Sequence, residues 1–312
     1  MAMKKVSVLV PTYNEEDNVV PLSESIIEQF ETHLQEYDYE LIFIDNDSKD
    51  ETRNRIRELC SSNPKVKAIF NAKNYGQFSS PYYGILQAAG DCVISLCADF
   101  QDPVELIPQF LEAWESGYKV VLGQKTSSKE SGFVYRLRSV YYKFLRKRSD
   151  VEFIEHVTGF GLYDREFVEV MRSLDDSKPF LRGVVAEMGY KIKLIPYAQP
   201  KRRSGKSSNG ISGYYDAAVQ SFTAYTKTGV RLAVAFGIFF TLASVITAIG
   251  MGIYKILHWD TFNLMSHAFN IVIFFVISLQ LLFIGVVGEY VLDINSRLKK
   301  RPLVIESERI NF

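Results

Sequence analysis

The chain has 312 residues, with 36 basic and 36 acidic side chains and a formal net charge of zero. That length suits one or two domains with a sizeable core, and the balance of charge excludes a whole-molecule pull toward nucleic acid. Three cysteines, Cys60, Cys92 and Cys97, lack zinc-like spacing, and their odd number argues for reduced thiols on the cytosolic side.

The N-terminal run MAMKKVSVLVPTYNEE is too short in apolar residues for a signal peptide and reads as a first strand. β-rich runs at 6–11, 39–45, 66–70 and 92–96 alternate with helical periodicity over 17–34 and 50–60. Asp17 and Asp50 are the expected helix caps. Strand–helix alternation predicts an α/β domain with a mainly parallel sheet covered on both faces. Ligands of such sheets bind beyond the carboxyl ends of the strands. Polar clusters at 11–16, 45–50, 71–77 and 99–102 follow four strands, so they should converge on one edge.

The last third differs. Residues 232–254 and 268–288 contain no charged side chain, and each reaches the ~20 residues needed to cross a bilayer. Lys227 and Arg231 precede the first run, and Arg297, Lys299, Lys300 and Arg301 follow the second. The loop between them has no Lys or Arg, so both ends are expected in the cytoplasm and the loop outside. Trp259 suits interfacial anchoring. Residues 132–148 and 211–227 mix basic or polar residues with aromatic ones and read as membrane-surface helices; for the first, an ordinary solvated face is the simpler alternative. The expected organisation is a cytoplasmic domain over 1–210, a juxtamembrane helix over 211–229, two transmembrane helices within 230–291 and a cytoplasmic tail over 292–312.

Six stretches carry the chemistry: VLVPTYNEEDN, IDNDSKDET, NAKNYGQ, ADFQDPVEL, RRSGKSS and IGVVGEYVLDINSRLKKRP. In this order they resemble the polyprenyl-phosphate branch of glycosyltransferase family 2, which includes dolichol-phosphate mannose synthase and the bactoprenol glucosyltransferases. The resemblance covers nearly the whole chain. It implies a GT-A fold and inverting transfer of a sugar from a UDP-sugar to a polyprenyl phosphate, in bacteria undecaprenyl phosphate. UDP-glucose is the first expected donor, followed by UDP-N-acetylhexosamine or another hexose. It also implies Mg²⁺ or Mn²⁺, the inner membrane as location, and a homo-oligomer, with a tetramer among the options.

The resemblance places Pro11, Tyr13, Glu15, Asp45, Asn74, Gly76 and Asp99 at the donor nucleotide. Physically, Tyr13 offers a ring for a base or ribose, and Glu15 accepts hydrogen bonds from a sugar or base; a loop capping the next helix also explains that segment. Where the family reads Asp-Asp-Gly-Ser, this chain has Asp45, Asn46, Asp47 and Ser48, and Asp47 tolerates a left-handed turn. Asp99 and Gln101 are the expected metal ligands and, with Arg202, the catalytic groups. Their alternation along an extended chain would aim both at one ion. Cys97 stands where relatives carry the first Asp of the motif, and a neutral thiol is a poor ligand for a hard cation. Arg202, Gly205 and Ser207 match an Arg-x-x-Gly-x-Ser loop suited to gripping phosphate. Arg136, Arg202, Lys206 and Ser207 are the candidates for the lipid phosphate.

Relatives often read Gly-Asp-Phe-Arg-Leu where this chain has Gly159 and Gly161 in place of the Asp and the Arg. A phosphate monoester has a second pKa near ~6, so a lipid phosphate is already an anionic nucleophile and needs no base. A hydroxyl acceptor would need one. Two other readings stay open on sequence. One is a transferase that extends a glycan or lipid-linked saccharide, although no Gln-x-x-Arg-Trp pattern is present. The other is a non-catalytic relative that binds nucleotide sugar or lipid, which Cys97 and Gly159 favour.

Overall fold

A computed structural model describes residues 3–127, 154, 156–176, 179–204, 228–257, 265–299 and 301–312. The chain forms two compact units. The first holds the N-terminal α/β domain together with the last residues of the chain, and the second holds two long helices.

The first unit is built on an eight-stranded sheet. Its parallel centre is β1 (Lys4–Thr12), β2 (Tyr37–Asp45), β3 (Val66–Asn71) and β4 (Cys92–Ser95). β1 pairs with β2 on one side and β4 on the other, and β2 pairs with β3. β5 (Val120–Ser127), β6 (Val157–Asp164) and β7 (Ile192–Ala198) extend the β4 side, with β6 antiparallel to both β4 and β5. The other edge is closed by β8 (Glu306–Ile310), antiparallel to β3. The order is β7-β5-β6-β4-β1-β2-β3-β8. Strand order reverses between β1 and β4, and such a switch point opens a crevice at the carboxyl ends.

Each face buries a separate apolar cluster. On one face Val6, Val8 and Val10 of β1 meet α1 (Val19–Thr32), α2 (Thr52–Ser62) and α4 (Ile107–Glu115) through Leu22, Ile56 and Phe110. On the other, Leu9, Ile42 and Ile44 meet α3 (Gly76–Gln87), α5 (Arg165–Ser173) and α6 (Leu181–Glu187) through Ile85, Phe167 and Val184. Alternation along β1 sends successive residues to opposite faces, and both faces are covered as strand–helix alternation predicts. The first helix starts at Val19 with Asn18 as its cap residue, one place later than the expected Asp17.

The second unit contains α7 (Thr228–Leu257) and α8 (Met265–Leu298). Both expected apolar runs fall within these helices. Among the described residues, one stretch is long and apolar enough to cross a membrane: Phe275–Asn295, 21 residues with mean hydropathy 2.0. A shorter apolar stretch, Val230–Phe240, lies in α7. Large apolar side chains on both helices are exposed, including Ile246, Ile249, Leu281 and Ile284. Within the expected tail over 292–312, α8 continues to Leu298 and β8 spans Glu306–Ile310. The expected surface helices at 132–148 and 211–227 lie outside the described residues, and so does Trp259.

Candidate active site at the carboxyl ends of the strands

Four of the expected clusters sit where the carboxyl ends of β1, β2, β3 and β4 meet. After β1, Asn14 adopts a left-handed conformation (φ 54°). Its N–H donates to Ser48 Oγ at 2.8 Å, and its Oδ1 accepts from Lys49 N–H at 2.8 Å. The Glu15 N–H donates to Thr52 Oγ1 at 2.8 Å. The 11–16 and 45–52 segments are thereby locked together. Pro11 and Tyr13 lie in the first of them, half-buried.

Asp45 ends β2 fully buried. Its Oδ2 accepts from the N–H groups of Asp47 and Ser48, both at 3.1 Å, and from Arg53 Nε at 2.6 Å. Its Oδ1 is buried and meets no donor among the described residues. Buried carboxylate oxygens ordinarily have partners, so Oδ1 is a free acceptor at the site. Asp45 therefore braces a turn rather than capping α2, which begins at Thr52. Asp47 takes the left-handed conformation (φ 68°) that its place in a glycine position requires.

Asn46, which stands where the family pattern has its second Asp, is a hub. Its Nδ2 donates to Asn74 Oδ1 at 3.0 Å and to Gly76 C=O at 3.1 Å. Its Oδ1 accepts from Asn71 Nδ2 at 3.1 Å and Tyr75 N–H at 2.8 Å. A carboxylate could not make the two donations. Asn74 and Gly76, both exposed, are held by this hub, and Gly76 has φ 84°.

The segment after β4 corrects one expectation. It is a turn, with Phe100 left-handed (φ 59°) and Gln101 N–H donating to Asp99 Oδ1 at 3.1 Å. Alternation along an extended chain therefore does not apply to Asp99 and Gln101. Asp102 is buried; its carboxylate accepts from Cys97 N–H at 3.0 Å and Tyr197 Oη at 3.1 Å. Burial raises its pKa, as it does that of Tyr197, where Asp102 adds to the effect. Desolvation by the surrounding protein, then the Asp102 and Asp99 carboxylates, push the Cys97 thiol well up, although Cys97 as a residue is exposed. The thiol stays neutral and does not replace a carboxylate at the turn.

Arg202 crosses to these acids from the loop after β7. It pairs with Glu15, and its Nη1 lies 3.8 Å from Asp99 Oδ2. Its Nε donates to Ser204 C=O at 2.9 Å, while Ser204 Oγ donates to Asn18 Oδ1 at 2.7 Å. Asn18 Nδ2 in turn donates to Glu15 Oε2 at 2.6 Å. Burial raises the Glu15 pKa; Asn18 and Arg202 oppose that shift, and Asp99 adds to it. Arg202 thus joins β1 and β4 at the switch point. Sequence reasoning missed Asn18, Arg53, Asn71 and Ser204, whose partners are remote or backbone groups that spacing does not reveal. Arg136, Lys206 and Ser207 lie outside the described residues.

On β6, Gly161 and Gly159 differ. A Cβ at Gly161 would lie 2.3 Å from Val121 C=O, which excludes any side chain there. Among the described residues, a Cβ at Gly159 would meet only Leu181, at 3.7 Å. The departure at 161 is a packing requirement of the β5–β6 pair, whereas 159 has room.

Residues 7–172, just over half of the chain, match the family model for glycosyl transferase family 2. The chain belongs to that family. The enzyme is a glycosyltransferase, and its sheet is that of the GT-A fold. It is 31% identical to the protein named "Putative glycosyltransferase CsbB" of Bacillus subtilis, covering 95% of this chain and 89% of that protein. It is 29% identical to a prophage bactoprenol glucosyl transferase homolog of Escherichia coli, covering 96% and 98%. The bactoprenol glucosyl transferase of Shigella phage SfX is also 29% identical, covering 98% and 99%. A mycobacterial protein of known crystal structure has a TM-score of 0.50 at 16% identity, over 71% of this chain and 74% of its own, a likeness of fold alone.

Proposed function

We propose that this glycosyltransferase moves a hexose, glucose first, from a UDP-sugar to a polyprenyl phosphate, undecaprenyl phosphate in a bacterial membrane. The product is a lipid-linked monosaccharide with inverted anomeric configuration. The observation that carries the reading is Arg202 between Glu15 and Asp99 at the β1/β4 switch point. One guanidinium set among carboxylates, with its loop in contact, suits a site that receives and neutralises a diphosphate. The similarity to a bactoprenol glucosyl transferase and to a homolog of one, matched over nearly their full length, supports the choice of acceptor class and sugar.

In this reading the uridine lies against Tyr13, with the buried Asp45 Oδ1 accepting from a base N–H and the 71–76 loop closing the pocket. Asp99 and the Gln101 amide offer hard oxygen donors, which fit Mg²⁺ or Mn²⁺ with diphosphate and water completing the shell. Among the described residues no cluster of three His, Cys, Asp or Glu does so. Asp102 is left out of the proposed ligand set: it is buried, and its oxygens accept from Cys97 N–H and Tyr197 Oη. When bound, the ion neutralises charge on the leaving diphosphate. Arg202 assists that neutralisation, and Arg136, Lys206 and Ser207 hold the acceptor phosphate. The phosphate oxygen attacks the anomeric carbon in line with the departing nucleotide. It is already ionised, so the missing carboxylate at Gly159 costs no base.

The pairing of β8 with β3 supports the topology proposed here: the chain leaves the catalytic sheet after β7 and returns to it, which fits an even number of membrane crossings in between. Phe275–Asn295 is one crossing, and we assign the other to 232–254 within α7. The catalytic domain and C-terminus then share the cytoplasmic side, with 258–264 outside. The test is transfer by the purified protein with undecaprenyl phosphate, Mg²⁺ or Mn²⁺ and a panel of UDP-sugars. One donor should give a lipid-linked monosaccharide, abolished by chelator and by Asp99→Asn. Undiminished turnover in Asp99→Asn would refute the assignment of the site.

A further inference from the structure

The strand that closes the nucleotide edge of the sheet comes from the far end of the chain. β8 pairs with β3 from Ala68–Ile310 to Asn71–Glu306. Its first residues therefore lie beside the carboxyl end of β3, where the 71–76 loop begins. There the Ala72 N–H donates to Ile305 C=O at 2.9 Å. Ser307 Oγ donates to Phe70 C=O at 3.0 Å and reaches Asn71 C=O at 3.5 Å.

The Asn71 C=O also receives Arg53 Nη2 at 2.6 Å, and the Nε of the same guanidinium holds Asp45. The Asn71 side chain leads the other way, through Asn46 to Asn74, Tyr75 and Gly76. A continuous set of hydrogen bonds thus runs from β8 to every part of the candidate nucleotide pocket formed by β2 and β3. β8 is itself pinned, by Glu308 to Arg57 at 2.7 Å and by Glu306 to Tyr83 Oη at 2.9 Å, with Val304 buried in the core. A strand that only capped an exposed edge would need no bond to the loop beyond it.

We propose that β8 is part of the donor site, with Ile305 and Ser307 as positioning residues that set the 71–76 loop and the Arg53–Asp45 pair for a nucleoside diphosphate. The proposal rests on the nucleotide-sugar reading above. It also means that the chain leaving α8 at Leu298 is tied within a few residues to the nucleotide loop.

The test uses the full chain in detergent, UDP binding by calorimetry, and transfer kinetics with undecaprenyl phosphate. Ser307→Ala should weaken UDP binding and raise the KM for the UDP-sugar about fivefold, the scale of one neutral hydrogen bond. It should leave kcat and the KM for the lipid unchanged, and Ser307→Thr, which keeps the hydroxyl, should restore wild-type values. A chain ending at residue 302 should lose UDP binding at least about tenfold and regain it when a peptide of residues 303–312 is added, as strand addition allows. Wild-type UDP affinity in Ser307→Ala overturns the proposal, as does a loss confined to kcat and thermal stability. If the intact protein itself binds no UDP, the nucleotide-sugar reading falls, and the proposal with it.

Discussion

The Arg202 guanidinium pairs with Glu15, 187 residues earlier in the chain, and stands 3.8 Å from Asp99. One cation therefore couples the loop after β7 to the ends of β1 and β4. Arg202→Ala should lower kcat/KM about 100-fold, the scale of a lost charge-assisted contact to a diphosphate. Arg202→Lys should recover part of the loss, since it keeps the charge without the planar fork. Arg202 also lowers the Glu15 pKa against the effect of burial, so its removal must move that titration further up. Carbon-13 NMR of the Glu15 carboxyl in wild type and Arg202→Ala reads the shift, and a downward move would contradict the pairing.

Asn46→Asp would restore the second Asp of the family pattern and should nonetheless weaken the proposed donor site. The substitution removes the donations to Asn74 Oδ1 and Gly76 C=O and sets carboxylate oxygens against both acceptors. Two lost hydrogen bonds at about 1 kcal/mol each predict a fall in UDP affinity of roughly tenfold or more. Calorimetric titration with UDP decides it; unchanged or tighter binding would show that the hub does not set the loop.

The two glycines of β6 should respond oppositely to alanine. Gly161→Ala forces a Cβ to 2.3 Å from Val121 C=O and to 2.8 Å from Leu122 Cδ2, so the domain should lose about 3 kcal/mol or fail to fold. Among the described residues Gly159→Ala meets only an ordinary contact with Leu181, and it should leave the thermal midpoint within a degree or two of wild type, or higher. Equal losses at both positions would contradict the packing argument.

Acid stability of the catalytic domain should depend on Glu40, at the end of the sheet away from the site. Burial alone would raise its pKa, but bonds from Ser7, Lys5, Lys67 and the Ala89 N–H outweigh it and bring the group to about 2 from an ordinary 4.5. A carboxyl held below its unfolded value contributes stability above that value and loses it as pH falls from 4.5 toward 2. The contribution at neutral pH is about 3 kcal/mol. Thermal unfolding of wild type and Glu40→Gln should differ most at pH 7 and converge near pH 2. A difference that grows in acid would reverse the sign of this account.

Much of this architecture is legible in the sequence, for physical reasons. β1 to β4 are buried on both faces, so they read as apolar runs that break sharply into polar clusters, and the edge where those clusters meet follows from parallel connectivity. β8 is not legible: ESERI carries three charged residues in five, as a protected edge strand does, and nothing local marks its pairing with β3. The turn at Asp99 is hidden because only its backbone angles, with Phe100 left-handed, separate it from an extended chain. Arg202 reads as a basic loop residue, but its partnership with Glu15 is a product of the fold.

The acceptor is the central claim, and competition between two lipids tests it most directly. The purified protein, supplied with its UDP-sugar, should glycosylate undecaprenyl phosphate and leave undecaprenol untouched at the same concentration. That result fits a nucleophile ionised without a base, in a site where residue 159 is glycine. Transfer to undecaprenol, or to a sugar hydroxyl in preference to the lipid phosphate, would contradict the account and call for a general base that it does not assign.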